Sequence, residues 1–188
     1  MIKSFCSKYF QKNLAHAFSK ISLNQIALTI ALSWIYAISS QFIIPIGMVP
    51  FTLQVFTCAL LPLVFGYYAF SAYILYLLQG VLGLPFFYHA NSGLLHLLGP
   101  TGGFLIGWFF SIFFIVVNKN WGQKSFILAF FKLFLAQILL FSFGLLHLSM
   151  YVKGNNLLNI GLYPFLVGDF IKIIVAAFIG SRINRLKN

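Results

Sequence analysis

The sequence predicts an all-α integral membrane protein, a bundle of six transmembrane helices with both termini in the cytoplasm. Three observations predict it. The 188 residues are 61% hydrophobic and only 7% charged, against roughly 45–50% apolar and about 25% charged in soluble domains. Apolar runs suited to a hydrocarbon core about 30 Å thick recur from end to end. The basic residues gather at the two termini and around a single loop, and the positive-inside rule assigns those regions to the cytoplasm.

The elements follow in order. Residues 1–22 form a basic tail carrying Lys3, Lys8, Lys12 and Lys20. A basic stretch before an apolar run also resembles a signal peptide, but the run from Asn24 to Ile44 exceeds a typical h-region and reads as a retained first span. The spans fall near 23–44, 49–65, 67–83, 99–117, 125–150 and 163–181, the second of them short or tilted. Pro45 and Pro50 bracket the first connection, and Gly66-Tyr67-Tyr68 makes the second so short that spans two and three form an antiparallel hairpin. An even count returns the chain to its starting side. The membrane domain is thus residues 23–182, followed by a basic cytoplasmic tail, 183–188, with Arg185 and Lys187. Lys119, Lys124 and Lys132 surround a cytoplasmic loop, which turns 84–98 and 151–162, with Lys153, to the outside.

Several functional classes are excluded or left without support. A net charge of +11 does not point to nucleic acid, because the basic residues are not interleaved with exposed aromatics on a polar face; the expected medium is the lipid bilayer. Cys6 and Cys58 lack CxxC spacing and metal-ligating neighbours, although a juxtamembrane Cys6 is a candidate for acylation. His16, His89, His96 and His147 show no metal-ligand pattern and read as loop or interface residues. With a single carboxylate side chain and no nucleophile elbow, no enzyme, metal or cofactor chemistry is expected.

That carboxylate is Asp169, inside the last span. An ionisable group there costs at least about 2.5–3.5 kcal/mol on insertion scales, so it faces a cavity or a partner. Lys172, three residues on, shares its helix face and can offset its desolvation; a purely structural pair is the competing reading. A second polar set, Thr52, Gln54 and Thr57, opens the second span, and Gln79 lies in the third; each buried amide either bridges helices or meets a ligand. Asn91 in the outer loop can close over a site or stay solvated. Leu98-Gly99-Pro100-Thr101-Gly102-Gly103 places free backbone N–H groups at a helix start, without the lysine of a phosphate loop. Ala27 and Ala31 form a small-xxx-small pair, continued by Ser33 and Ala37, that lets another helix approach closely.

Four stretches carry a likeness: Val49-Pro50-Phe51-Thr52-Leu53-Gln54, Gly83-Leu84-Pro85-Phe86-Phe87, Gly99-Pro100-Thr101-Gly102-Gly103 with its flanks, and Gly168-Asp169-Phe170-Ile171-Lys172 with the preceding Pro164-Phe165-Leu166-Val167. Together they resemble the BioY family, the biotin-specific S components of energy-coupling-factor transporters. The resemblance implies a plasma-membrane S component of a bacterium that binds biotin tightly and releases it inward with an energy-coupling module of one transmembrane protein and two ATPases. It implies that Asp169 and Lys172 belong to the biotin site and that Ala27 and Ala31 dock the module. Biotin's ureido N–H groups suit Asp169, its ring carbonyl suits an amide such as Gln79 or Asn91, and its thioether ring suits walls including Phe86, Phe87 and Tyr163. Its carboxylate suits Lys172, unless that cation is committed to Asp169. Tyr88-His89-Ala90-Asn91-Ser92 departs from the Gly-rich segment, sometimes with an arginine, of many relatives. The competing classes are a self-sufficient proton-coupled secondary transporter, in which Asp169 titrates, and a scaffold that binds no ligand.

Overall fold

Helix α1 (Leu23–Gln41) opens on a capping box: the Gln25 backbone N–H donates to Ser22 Oγ at 3.3 Å while the Ser22 N–H donates to Gln25 Oε1 at 3.2 Å, satisfying two N–H groups that a bare helix end leaves orphaned. The computed structural model describes residues 22–44, 49–122, 124–154 and 156–187. Lys3, Lys8, Lys12 and Lys20 of the basic tail, with Cys6, His16 and Pro45, lie outside the described residues.

After α1 the chain forms a short antiparallel pair, β1 (Ile43–Ile44) and β2 (Phe51–Thr52), with Ile43 opposite Thr52. Thr52 is therefore a strand residue, not part of the second span. Pro50 favours extended backbone just before it, and Thr52 Oγ1 accepts the Gln54 N–H at 3.3 Å, ending the strand and starting α2 (Gln54–Phe65). Gly66, at φ 57°, makes the tight turn into α3 (Tyr67–Val81), a conformation that only glycine adopts cheaply. The outer connection holds a 3-10 turn (Tyr88–Ala90) and α4 (Leu94–Leu97), and then come α5 (Gly102–Val117) and α6 (Phe126–Leu148). A short α7 (Asn156–Gly161) leads into α8 (Tyr163–Leu186), which carries Pro164 in its first turn, where a missing N–H costs nothing.

The helices sort into two packed groups. α1 lies on α3, with Tyr36, Tyr73 and Tyr76 fully buried between α1, α3 and α5. α2, α6 and α8 meet through Ala59, Ala129, Ala136, Ala176 and Ala177, small residues that let helix axes approach closely. The most extensive contact joins α5 to α6. It is close because Gly107 faces the α6 backbone: a Cβ there would lie 2.8 Å from the Leu140 carbonyl oxygen.

The exterior is apolar. Phe131, Phe134 and Ile138 on α6 and Phe170, Ile171 and Phe178 on α8 are all exposed, an inverted surface that marks contact with lipid. Leu23–Gln41, Phe126–Leu148 and Asn156–Leu186 are long and apolar enough to cross a membrane, whereas Gln54–Phe65 and Gly102–Val117 are apolar but shorter. Lys132, inside the expected span 125–150 and flanking the expected loop, is a buried member of α6. One expectation changes. Residues 183–186 continue α8 instead of forming a tail, because Asn184 turns inward and its Nδ2 donates to the Leu63 carbonyl at 2.9 Å.

Candidate functional site

The start of α2, the middle of α3, the first turns of α5, the middle of α6 and the first two turns of α8 surround a cavity holding about 590 Å³ of empty space, its open mouth included. Its walls are mainly aromatic and aliphatic, with Tyr76, Phe87, Phe104, Trp108, Leu140 and Phe141, and its polar groups include Gln54, His96, Thr101 and Asp169.

Asp169 is 3% exposed. Its Oδ1 accepts from Lys172 Nζ at 3.1 Å and its Oδ2 from Gln137 Nε2 at 3.0 Å. A carboxylate offers about four acceptor positions, so one hydrogen bond on each oxygen orients the group and leaves lone pairs for a ligand N–H. Lys172 serves three partners: it also donates to the Thr52 carbonyl at 2.7 Å and sits 3.3 Å from the centroid of the Phe51 ring. Its head borders a separate surface cleft beside β1 and β2 rather than the cavity. The glycine before Asp169 has a matching reason, since the Phe51 ring lies in van der Waals overlap with any Cβ placed on Gly168.

The other expected residues divide. Thr52, Gln54 and Phe87 line the cavity with Asp169. Gln54 also bridges α2 and α3, its Nε2 donating to the Tyr76 hydroxyl at 3.2 Å. Gln79 bridges helices, with Oε1 accepting from Ser33 Oγ at 3.1 Å. Phe86 is buried between Trp34 and Tyr76 and does not line the cavity. Asn91 is exposed and donates to the Tyr88 carbonyl at 3.0 Å, while Tyr163 is exposed at the start of α8. Ala27 and Ala31 are exposed on α1.

Three contributors went unseen in the sequence. Gln137 is an amide inside a span, the same signal that singled out Gln54 and Gln79. His96 lines the cavity with Nε2 buried and without a hydrogen-bond partner among the described residues, its ring stacked 4.9 Å from Phe87, and burial lowers its pKa below the ordinary value. Gln41 holds the loop beside the cavity: its Nε2 donates to the Phe87 carbonyl at 2.8 Å and the Phe86 carbonyl at 3.3 Å, and its Oε1 accepts the Ala90 N–H at 2.9 Å. Ser40 Oγ adds a 2.6 Å bond to the Phe86 carbonyl. The loop needs such fastening, since His89 and Ala90 both take left-handed backbone, each at φ 56°, which costs a non-glycine residue energy.

Comparison with known proteins adds an independent line. The family model described as the BioY family matches residues 11–188. A protein of Thermotoga maritima named biotin transporter BioY is 36% identical, over 77% of this chain and 86% of its own length. A probable biotin transporter BioY of Pyrococcus horikoshii is 32% identical, over 84% of this chain and 93% of its own. Among solved structures, the S component for biotin of an ECF-type ABC transporter superposes with a TM-score of 0.76 at 24% identity, covering 89% of this chain and 94% of that one, which shows a shared fold.

Proposed function

This chain belongs to the BioY family, and from that premise we propose that it is the biotin-binding S component of an energy-coupling-factor transporter. It sits in the plasma membrane with α1, α2, α3, α5, α6 and α8 as six spans, both termini in the cytoplasm. It captures biotin from outside and passes it inward with a module of one transmembrane protein and two ATPases, which docks along Ala27 and Ala31. It performs no enzyme chemistry.

The observation that carries this reading is the placement of the chain's one carboxylate side chain on the wall of an aromatic cavity, oriented on both oxygens. Asp169 accepts the ureido N–H groups. Lys172 and Gln137 hold it in place, and Gln54 or the Thr101 hydroxyl donates to the ring carbonyl. Phe87, Trp108 and Phe141 enclose the thioether ring and aliphatic chain. Because Lys172 is committed to Asp169 and Thr52, the free Nε2 of His96 is the donor available inside the cavity for the biotin carboxylate.

The test is calorimetry of biotin binding to detergent-purified protein, wild type against Asp169→Asn, with circular dichroism to verify folding. Hydrogen bonds to a charged group contribute roughly 1.5–3 kcal/mol each, so the substitution is expected to weaken binding by about 100-fold or more. Well-folded wild type that binds no biotin would overturn the reading. Uptake that survives ATP depletion and follows the pH gradient would replace it with proton-coupled transport.

A further inference from the structure

A second cavity lies at the end of the bundle where α2 turns into α3, where α5 ends and where α8 finishes. It holds about 1220 Å³ of empty space with its open mouth, and Phe65, Tyr67, Lys119, Lys132, Asn184 and Lys187 are among its lining residues. It is remote from Asp169, and nothing in the biotin reading uses it.

Its unusual member is Lys132, which is 1% exposed. Among the described residues its Nζ makes one hydrogen bond, a long one of 3.4 Å to the Asn118 carbonyl, although an ammonium carries three donors. Burying an ammonium without a counter-charge is costly, because the lost hydration is not repaid. Among the described residues no carboxylate side chain is close by: the chain has one Asp or Glu, and it is paired with Lys172. The positive-inside rule explains exposed lysines at a membrane edge, such as Lys119 and Lys187, but it gives no reason to bury one.

The surroundings indicate what complements it. Lys187 Nζ donates to the Val64 carbonyl at 2.9 Å and lies 5.2 Å from the Phe65 ring centroid, while Asn184 covers the Leu63 carbonyl. The carbonyl end of α2 is thereby neutralised, and Lys119 and Lys132 keep donors for something else. Tyr67 and Tyr68 are 54% and 39% exposed at the rim, the position of aromatic side chains at headgroup depth. Phosphates of lipids lie at that depth, and basic pockets between membrane helices on the cytoplasmic side hold them.

We infer that this cavity is a binding site for the phosphate of an anionic phospholipid, with Lys132 as its buried cation and Lys119 and Lys187 at its mouth. The lipid supplies the negative charge that no described side chain supplies at this end.

The test measures thermal unfolding of detergent-purified full-length protein with added short-chain phosphatidylglycerol, phosphatidylcholine of the same chain length, or inorganic phosphate. Phosphatidylglycerol is expected to raise the unfolding temperature by about 5 °C near saturation, and high salt to reduce the shift. Phosphatidylcholine and phosphate are expected to leave it unchanged. Lys132→Gln removes the shift, and its unfolding temperature without lipid reports whether it folds. Lys119→Ala/Lys187→Ala, which alters two exposed residues, at least halves it. Equal shifts from both lipids, or a full shift in both variants, would overturn the site. A shift from inorganic phosphate equal to that from phosphatidylglycerol would overturn the headgroup assignment in favour of a free anion.

Discussion

At the residue scale, Asp169 and Lys172 form one unit, and the cost of breaking it differs from the cost of removing it. Lys172→Met leaves a buried carboxylate with only Gln137 and is expected to destabilise the protein by about 3–5 kcal/mol. Asp169→Leu combined with Lys172→Met removes both charges and is expected to recover most of that stability while abolishing biotin binding. Thermal unfolding of the three proteins checks it, and a double variant as unstable as the single one would refute the pairing argument. His96 gives a pH effect with a defined sign. Its folded-state pKa is lowered by burial, so the unfolded chain takes up the proton first as pH falls. The stability it contributes is complete above about pH 6.5 and is lost as pH drops through the folded value. His96→Gln is therefore expected to flatten the fall in unfolding temperature between pH 7 and 5, and overlapping profiles would count against it. Asp169 was legible because it is the lone acid and Lys172 because of its spacing. His96 was not, because its significance lies in a buried imidazole nitrogen without a partner among the described residues, which no spacing encodes.

At the element scale, the outer loop and α1 behave as one piece. Gln41→Ala removes hydrogen bonds to Phe86, Phe87 and Ala90 and frees a strained turn. At about 0.5–1.5 kcal/mol per bond, part of it recovered by water, biotin affinity is expected to fall by roughly tenfold with increased protease cleavage near His89. Unchanged affinity would mean that the loop does not shape the cavity. Helix positions were readable from apolar runs and from Gly66, Pro50 and Pro164. The strand pair was not, because two-residue strands leave no periodicity. The end of α8 was mistaken for a tail because Asn184, Arg185 and Lys187 look solvated until Asn184 is seen capping α2.

At the scale of the whole molecule, the proposed six-span orientation can be measured. In a Cys6→Ser/Cys58→Ala background, Lys153→Cys is expected to react with an impermeant thiol reagent in intact cells. Lys124→Cys is expected to react only after permeabilisation. Reaction of both from one side would overturn the six-span arrangement. Composition made the membrane class plain, and charge placement gives the orientation that this labelling tests. The cavity was beyond reach, since Tyr76, Trp108 and Phe141 are indistinguishable in sequence from aromatics that face lipid.

The fastening of the loop by Ser40 and Gln41 has a thermodynamic corollary. The loop that borders the cavity is anchored on α1, the helix that carries Ala27 and Ala31. Occupancy of the cavity and displacement of α1 are then linked functions, and linkage is reciprocal. Any protein that levers α1 away on engagement loosens the vitamin by some factor, and the vitamin must weaken that engagement by the same factor. Unloading and recruitment are in that sense a single equilibrium read from two ends.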